Sequence, residues 1–124
     1  MTTSAQLAEQ LDMFTGTENW YRHSLNRKVL YTDGVKHFAI SAGAYWFLDI
    51  LATEGYELHG IHSEYFLSIT MTVANRTAII VITDGNEKPI FSKDIPFTDC
   101  PDGIWKFFMI DDVQHSTILL TSEY

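Results

Sequence analysis

The chain has 124 residues, 46% of them hydrophobic, with 16 acids against 8 bases for a net charge of −8. That size fits one domain, and that composition excludes a disordered chain. The acidic balance opposes direct binding to a nucleic-acid backbone, and the single Cys100 excludes an internal disulfide or a multi-cysteine metal site. The opening "MTTSAQLAEQLDMF" lacks the basic start and apolar centre of a signal peptide, and no apolar run is long enough to span a bilayer. A cytoplasmic location away from membranes is the expectation.

The first element is an amphipathic helix from about Ser4 to Phe14. Ser4 is placed to cap it, Leu7, Leu11 and Phe14 form its stripe, and Gly16 follows as a stop. Next, Trp20-Tyr21-Arg22-His23 and Val29-Leu30-Tyr31 are short β-prone runs around the polar "SLNRK", which predicts a small hairpin.

Asp33 stands where an N-cap would precede a second helix, with Val35, Phe38, Ala39 and Ala42 as its apolar stripe. Gly43 predicts a kink, a break or a close backbone approach. "AYWFLDILA" then continues to Gly55, read as a C-terminal stop.

From Tyr65 the period becomes two, with Leu67, Ile69, Met71 and Val73 alternating with Phe66, Ser68, Thr70 and Thr72. Ala78 to Thr83, "AIIVIT", predicts a central strand buried on both faces. The turn "DGNEKP", strand "IFSKDIPF", turn "TDCPDG" and strand "IWKFFMI" follow, then the loop "DDVQHS" and a last strand over Thr117 to Thr121. Helices first and strands after predict an α+β fold. The expectation is N-terminal helices packed on one face of a four- or five-stranded antiparallel meander sheet.

The segments "FTGTENWYRH", "YTDGVK", "AGAYWFLDILA", "IPFTD" and "LLTSEY" resemble a family of short bacterial proteins of unknown function. The resemblance runs from about Phe14 to Tyr124. It implies a stand-alone domain and supplies no activity, cofactor or catalytic residue. Cys100, after "IPFTD", departs from the family's pattern, so the resemblance lends its thiol no role.

Asp49, alone in an apolar helix, raises the main chemical question, because burying an unpaired carboxylate costs several kcal/mol. Candidate donors are Arg22, His23, Tyr21 and Tyr31. Ala42, Tyr45, Trp46 and Thr53 share its side of the helix. Three readings follow: a structural pairing, exposure at the rim, or a ligand pocket formed by Arg22, His23, Tyr45, Trp46 and Asp49.

His59 and His62, with Glu57 and Glu64 nearby, superficially suggest a metal site. Gly60 between them favours solvated loop histidines, and no metal or other cofactor is expected. Cys100 with His115 lacks the context of an activated thiolate. An anion could bind the helix start at Gly34, but Asp33 is expected to fill that role.

Trp105 and Phe107 fall on one strand face and Phe108 on the other. If helices cover only one face, the other calls for a partner, most simply a second copy in a homodimer. The sequence therefore favours a non-enzymatic accessory or protein-interaction domain that self-associates. The alternatives are a small-ligand binder or small enzyme at the Asp49 cluster, and an acidic inhibitor of a DNA-binding protein.

Overall fold

A computed structural model describes residues 3–124. Helix α1 spans Ser4–Asp12, and Thr3, not Ser4, caps it. The Thr3 side chain accepts from the Gln6 amide while the Gln6 side chain accepts from the Thr3 amide, a reciprocal pair that satisfies two free donors. Leu7 and Leu11 are buried, and the helix ends before Phe14.

Strands β1 (Trp20–Arg22) and β2 (Val29–Thr32) form the expected antiparallel hairpin. Helix α2, Asp33–Ala42, begins at once, and its N-cap is Thr32, whose hydroxyl accepts from the Val35 amide. Asp33 is therefore the first helical residue and not the cap. Gly43 ends α2 in the left-handed conformation, φ 61°, which costs glycine nothing.

Helix α3, Tyr45–Ile50, passes into a π-helical turn over Leu51–Gly55 and then into α4, Tyr56–Ile61. Gly55 does not stop the helix. It is buried, and a Cβ there would touch Leu51 and the Met109 sulfur at 3.6 Å, an ordinary contact.

The remaining strands are β3 (Phe66–Ala74), β4 (Thr77–Thr83), β5 (Pro89–Ile95), β6 (Gly103–Asp111) and β7 (Ser116–Leu120). The sheet has seven strands in the order β1-β2-β7-β6-β3-β4-β5. It is mixed, because β2 pairs with β7 in parallel while every other pair is antiparallel. The expectation of four or five antiparallel strands thus falls short. The N-terminal hairpin joins the sheet, and β7 is an interior strand between β2 and β6.

One core joins all the layers. Phe38 of α2 and Phe47 of α3 meet Phe107 of β6 with ring centroids 5.0 Å apart in both contacts. Leu67, Ile69, Met71 and Val73 of β3 complete it with Ile80, Ile82, Met109, Ile118 and the apolar sides of the helices. Each large side chain so buried contributes roughly 1.5–3 kcal/mol. Strand β4 is not buried on both faces, since Ala78, Ile80 and Ile82 point into the core while Ile79 is 48% exposed.

Candidate functional site

The sequence-derived cluster divides in the structure. His23, directly after β1, is 5% exposed, and its Nε2 lies 2.9 Å from Asp49 Oδ1 on α3. The Leu25 amide donates to His23 Nδ1 at 3.1 Å, so Nδ1 must be the unprotonated nitrogen and Nε2 the donor to Asp49. Both ring nitrogens are occupied. Asp49 itself keeps about half its side-chain surface in water, 53%, so it is paired and exposed together. Beside it, Asn26 donates to the Ala52 carbonyl at 3.0 Å, a second tie between the hairpin loop and the helix.

No hydrogen bond joins Arg22, Tyr45 or Trp46 to this pair among the described residues. Arg22 alternates away from His23 along the strand and donates to the Arg27 carbonyl, not to Asp49. Trp46 packs edge-on against Phe47, and Tyr45 stands 44% exposed. Burial and the nearby Tyr45 push the Tyr31 hydroxyl above the usual tyrosine range. The arrangement fastens a hairpin to a helix; the surface hollows of about 180 Å3 beside β6 and about 310 Å3 beside His37 are lined by other residues.

Three polar clusters lay beyond the sequence reading. Asp33 accepts from the amides of Glu18 and Asn19 and from the Tyr21 hydroxyl, at 3.0, 3.2 and 2.9 Å. Desolvation pushes its pKa up, but these bonds and Thr17 outweigh it, and the carboxyl is held down at about 2. It fixes the chain ahead of β1, and it does not fill the helix start.

Glu123 fills that position. Its Oε1 accepts from the Thr32 hydroxyl at 2.6 Å and the Leu120 amide at 2.9 Å, and its Oε2 accepts from the Gly34 amide at 3.2 Å. A carboxylate at the start of α2 is electrostatically favoured. Gly34 leaves room for it, since a Cβ there would lie 2.8 Å from Glu123 Oε1.

His59 is no loop histidine. It lies on α4, 7% exposed, with Nδ1 2.8 Å from the Glu64 carbonyl and Nε2 2.7 Å from the Ser116 hydroxyl. A carbonyl only accepts, so Nδ1 carries the proton and Nε2 accepts from Ser116. Ser116 is wholly buried, so this pair joins α4 to the start of β7. The apparent break at Gly60 hid it, because the helix continues through that residue. Among the described residues no three metal-ligating side chains converge. Cys100 is buried, and burial, with Asp102 nearby, pushes its thiol up to about 12. At neutral pH it is not a thiolate.

A further feature is the sheet face away from the helices. Phe66, Phe108 and Tyr124 form an aromatic cluster there, with ring centroids 4.9 to 5.7 Å apart. Cross-strand register places Phe108 beside Ser68 and Leu119, and Ile104 beside Thr72, next to Ile79. Ile104 is 63% exposed and Tyr124 75%.

A model for a family of unknown function, DUF6876, matches residues 5–124, which takes in α1 and the whole sheet. The chain belongs to that family. This DUF6876 protein is also similar to a solved structure, a protein of unknown function from Enterococcus faecalis, with TM-score 0.55. The two are 18% identical, over 82% of this chain and 93% of the other. At that identity the likeness concerns the fold alone. No curated protein matches the DUF6876 chain.

Proposed function

We propose that this DUF6876 protein is a non-enzymatic interaction domain that pairs with a second copy of itself through the open sheet face. The observation behind this reading is the one-sided packing. Every helix from α1 to α4 contributes to the single core on one face, while Phe66, Phe108, Ile104 and Ile79 lie on the other. An apolar patch of this kind marks an interaction surface.

Charge favours a second copy as the occupant. The molecule carries −8 overall, so two copies repel through most of their surfaces. Along β3, β4, β6 and β7 the residues in register with Phe108 are apolar or hydroxylic except Lys106, and β5 adds Asp94 beside Ile79. Arg22 of β1, opposite Leu30, adds a second cation, so two such faces can meet without the general acidic repulsion. Two sheets packed face to face bury their side chains in a layer about 10 Å thick.

Sedimentation velocity at millimolar concentration tests this. The wild type is expected to run as a dimer, and the double substitution Ile79→Lys with Ile104→Lys as a monomer of unchanged thermal stability. A wild type that stays monomeric would refute the proposal, as would a double variant that dimerises equally well.

A further inference from the structure

Tyr124 differs from the rest of its aromatic cluster in exposure. Phe66 and Phe108 are partly buried, whereas Tyr124, edge-on to both with ring centroids 5.7 and 5.3 Å away, is 75% exposed. It is therefore the outermost of the three rings. The two residues before it hold it there. Ser122 donates to the Leu11 carbonyl of α1 at 3.2 Å, and the Glu123 carboxylate takes the Thr32, Gly34 and Leu120 donors. The Tyr124 amide bonds back to the Thr121 carbonyl at 3.4 Å. The main chain at Tyr124 is thus tied to the helix side while its ring lies on the opposite face. A large exposed ring on a tethered main chain gives up little conformational freedom when it is covered, which suits it to anchor an interface.

The same face holds a place of complementary shape. Cross-strand register sets Ile104, Thr72 and Ile79 side by side on β6, β3 and β4. The two isoleucines are 63% and 48% exposed and flank the shorter threonine, so the row forms an apolar notch with a methyl and a hydroxyl at its floor. Phe108 lies beside Ser68, which places the cluster four residues from the notch along β3. That is about 13 Å, out of reach of the tethered Tyr124 ring of the same molecule.

We infer that Tyr124 anchors self-association by entering the Ile104–Thr72–Ile79 notch of a second copy, and that this contact sets how the two sheets are placed. The inference rests on the proposed pairing of copies through this face. Two projecting rings would collide if the sheets met with like over like. A twofold axis running across the strands at the row of Thr70 avoids that, because it lays the Ser68 row of one copy over the Thr72 row of the other. Each ring then meets a notch, and the contact occurs twice by symmetry, as an isologous interface requires. The strands of the two sheets stay roughly aligned, an ordinary arrangement for sheets packed face to face. Lys106 shares the Thr70 row, but it also borders the hollow that Asp12 lines, so an acid lies beside its charge near the axis.

The test combines sedimentation velocity on variants with isotope-filtered nuclear Overhauser spectroscopy on a mixture of 13C-labelled and unlabelled protein. Tyr124→Ala is expected to weaken the dimer by about tenfold or more, with the fold retained by circular dichroism. Tyr124→Phe keeps the ring and should stay close to wild type. Thr72→Trp fills the notch at an exposed position while leaving Tyr124 intact, and should weaken the dimer as Tyr124→Ala does. Intermolecular signals are expected between the Tyr124 ring protons and the methyl groups of Thr72 and Ile104. A wild type that dimerises but keeps its affinity on Tyr124→Ala would overturn this inference and leave the pairing of sheet faces standing. So would a dimer whose Tyr124 ring signals lead to another Tyr124 or to any row other than that of Thr72. A wild type that stays monomeric would refute both.

Discussion

Asp33 and Glu123 each accept from several donors at once in the folded chain. For Asp33 this gives a pH dependence of definite sign. Its folded pKa of about 2 lies below the unfolded value of about 4. Its contribution to stability is therefore complete above about pH 4 and is lost as pH falls through about 2. Asp33→Asn is expected to lower stability at neutral pH and to flatten the acid limb between those values, as urea unfolding at stepped pH would show. Glu123→Ala leaves the Gly34 and Leu120 amides and the Thr32 hydroxyl without their acceptor. Its expected cost is about 1–3 kcal/mol, measurable as a shifted denaturation midpoint at unchanged slope. Neither role was legible from the residues. Asp33 stands one position past the true cap, and two partners of Glu123, Gly34 and Thr32, are 89 and 91 residues away in sequence. The pairing of Asp49 with His23 was more accessible, because a lone acid on an apolar helix calls for a donor. What spacing could not show was that Arg22, the neighbouring base, alternates to the opposite side.

Elements with a strict period are legible in the sequence, and those that depend on distant partners are not. The alternation of Leu67, Ile69, Met71 and Val73 marks β3 with its correct inner face. The continuous apolar run of β4 gave the wrong answer, because an apolar run does not reveal whether a second layer exists to cover Ile79. The parallel pairing of β2 with β7 joins residues 29–31 to residues 116–118, and no local pattern announces it. Turns carry strain that is likewise invisible to composition. In the loop between β6 and β7, Val113 has φ 81° and is 92% exposed, an unfavourable conformation for a β-branched residue. The Asp111 and Asp112 side chains impose it by accepting from the amides of residues 113, 114 and 115. Val113→Asn should relieve about 1 kcal/mol of strain and raise the melting temperature by a few degrees. A fall on that substitution would mean that the exposed valine makes a stabilising contact.

At the scale of the whole molecule, the helices lie on one side and the other side is bare. The molecule also divides by order of pairing. Strands β3 to β6 join through sequence-adjacent antiparallel partners, apart from the β3–β6 closure, whereas the first hairpin is held to them only through β7.

Because Ser116–Leu120 is inserted between β2 and β6, residues 20–32 have no place in the sheet until that strand exists. During synthesis the hairpin must leave the ribosome and wait for more than eighty further residues while its eventual neighbour is still being translated. Protease pulses on stalled nascent chains should find it cleavable until residue 120 clears the exit tunnel and protected soon afterwards. Protection before residue 116 has been made would show that some other segment shelters the hairpin in the interval.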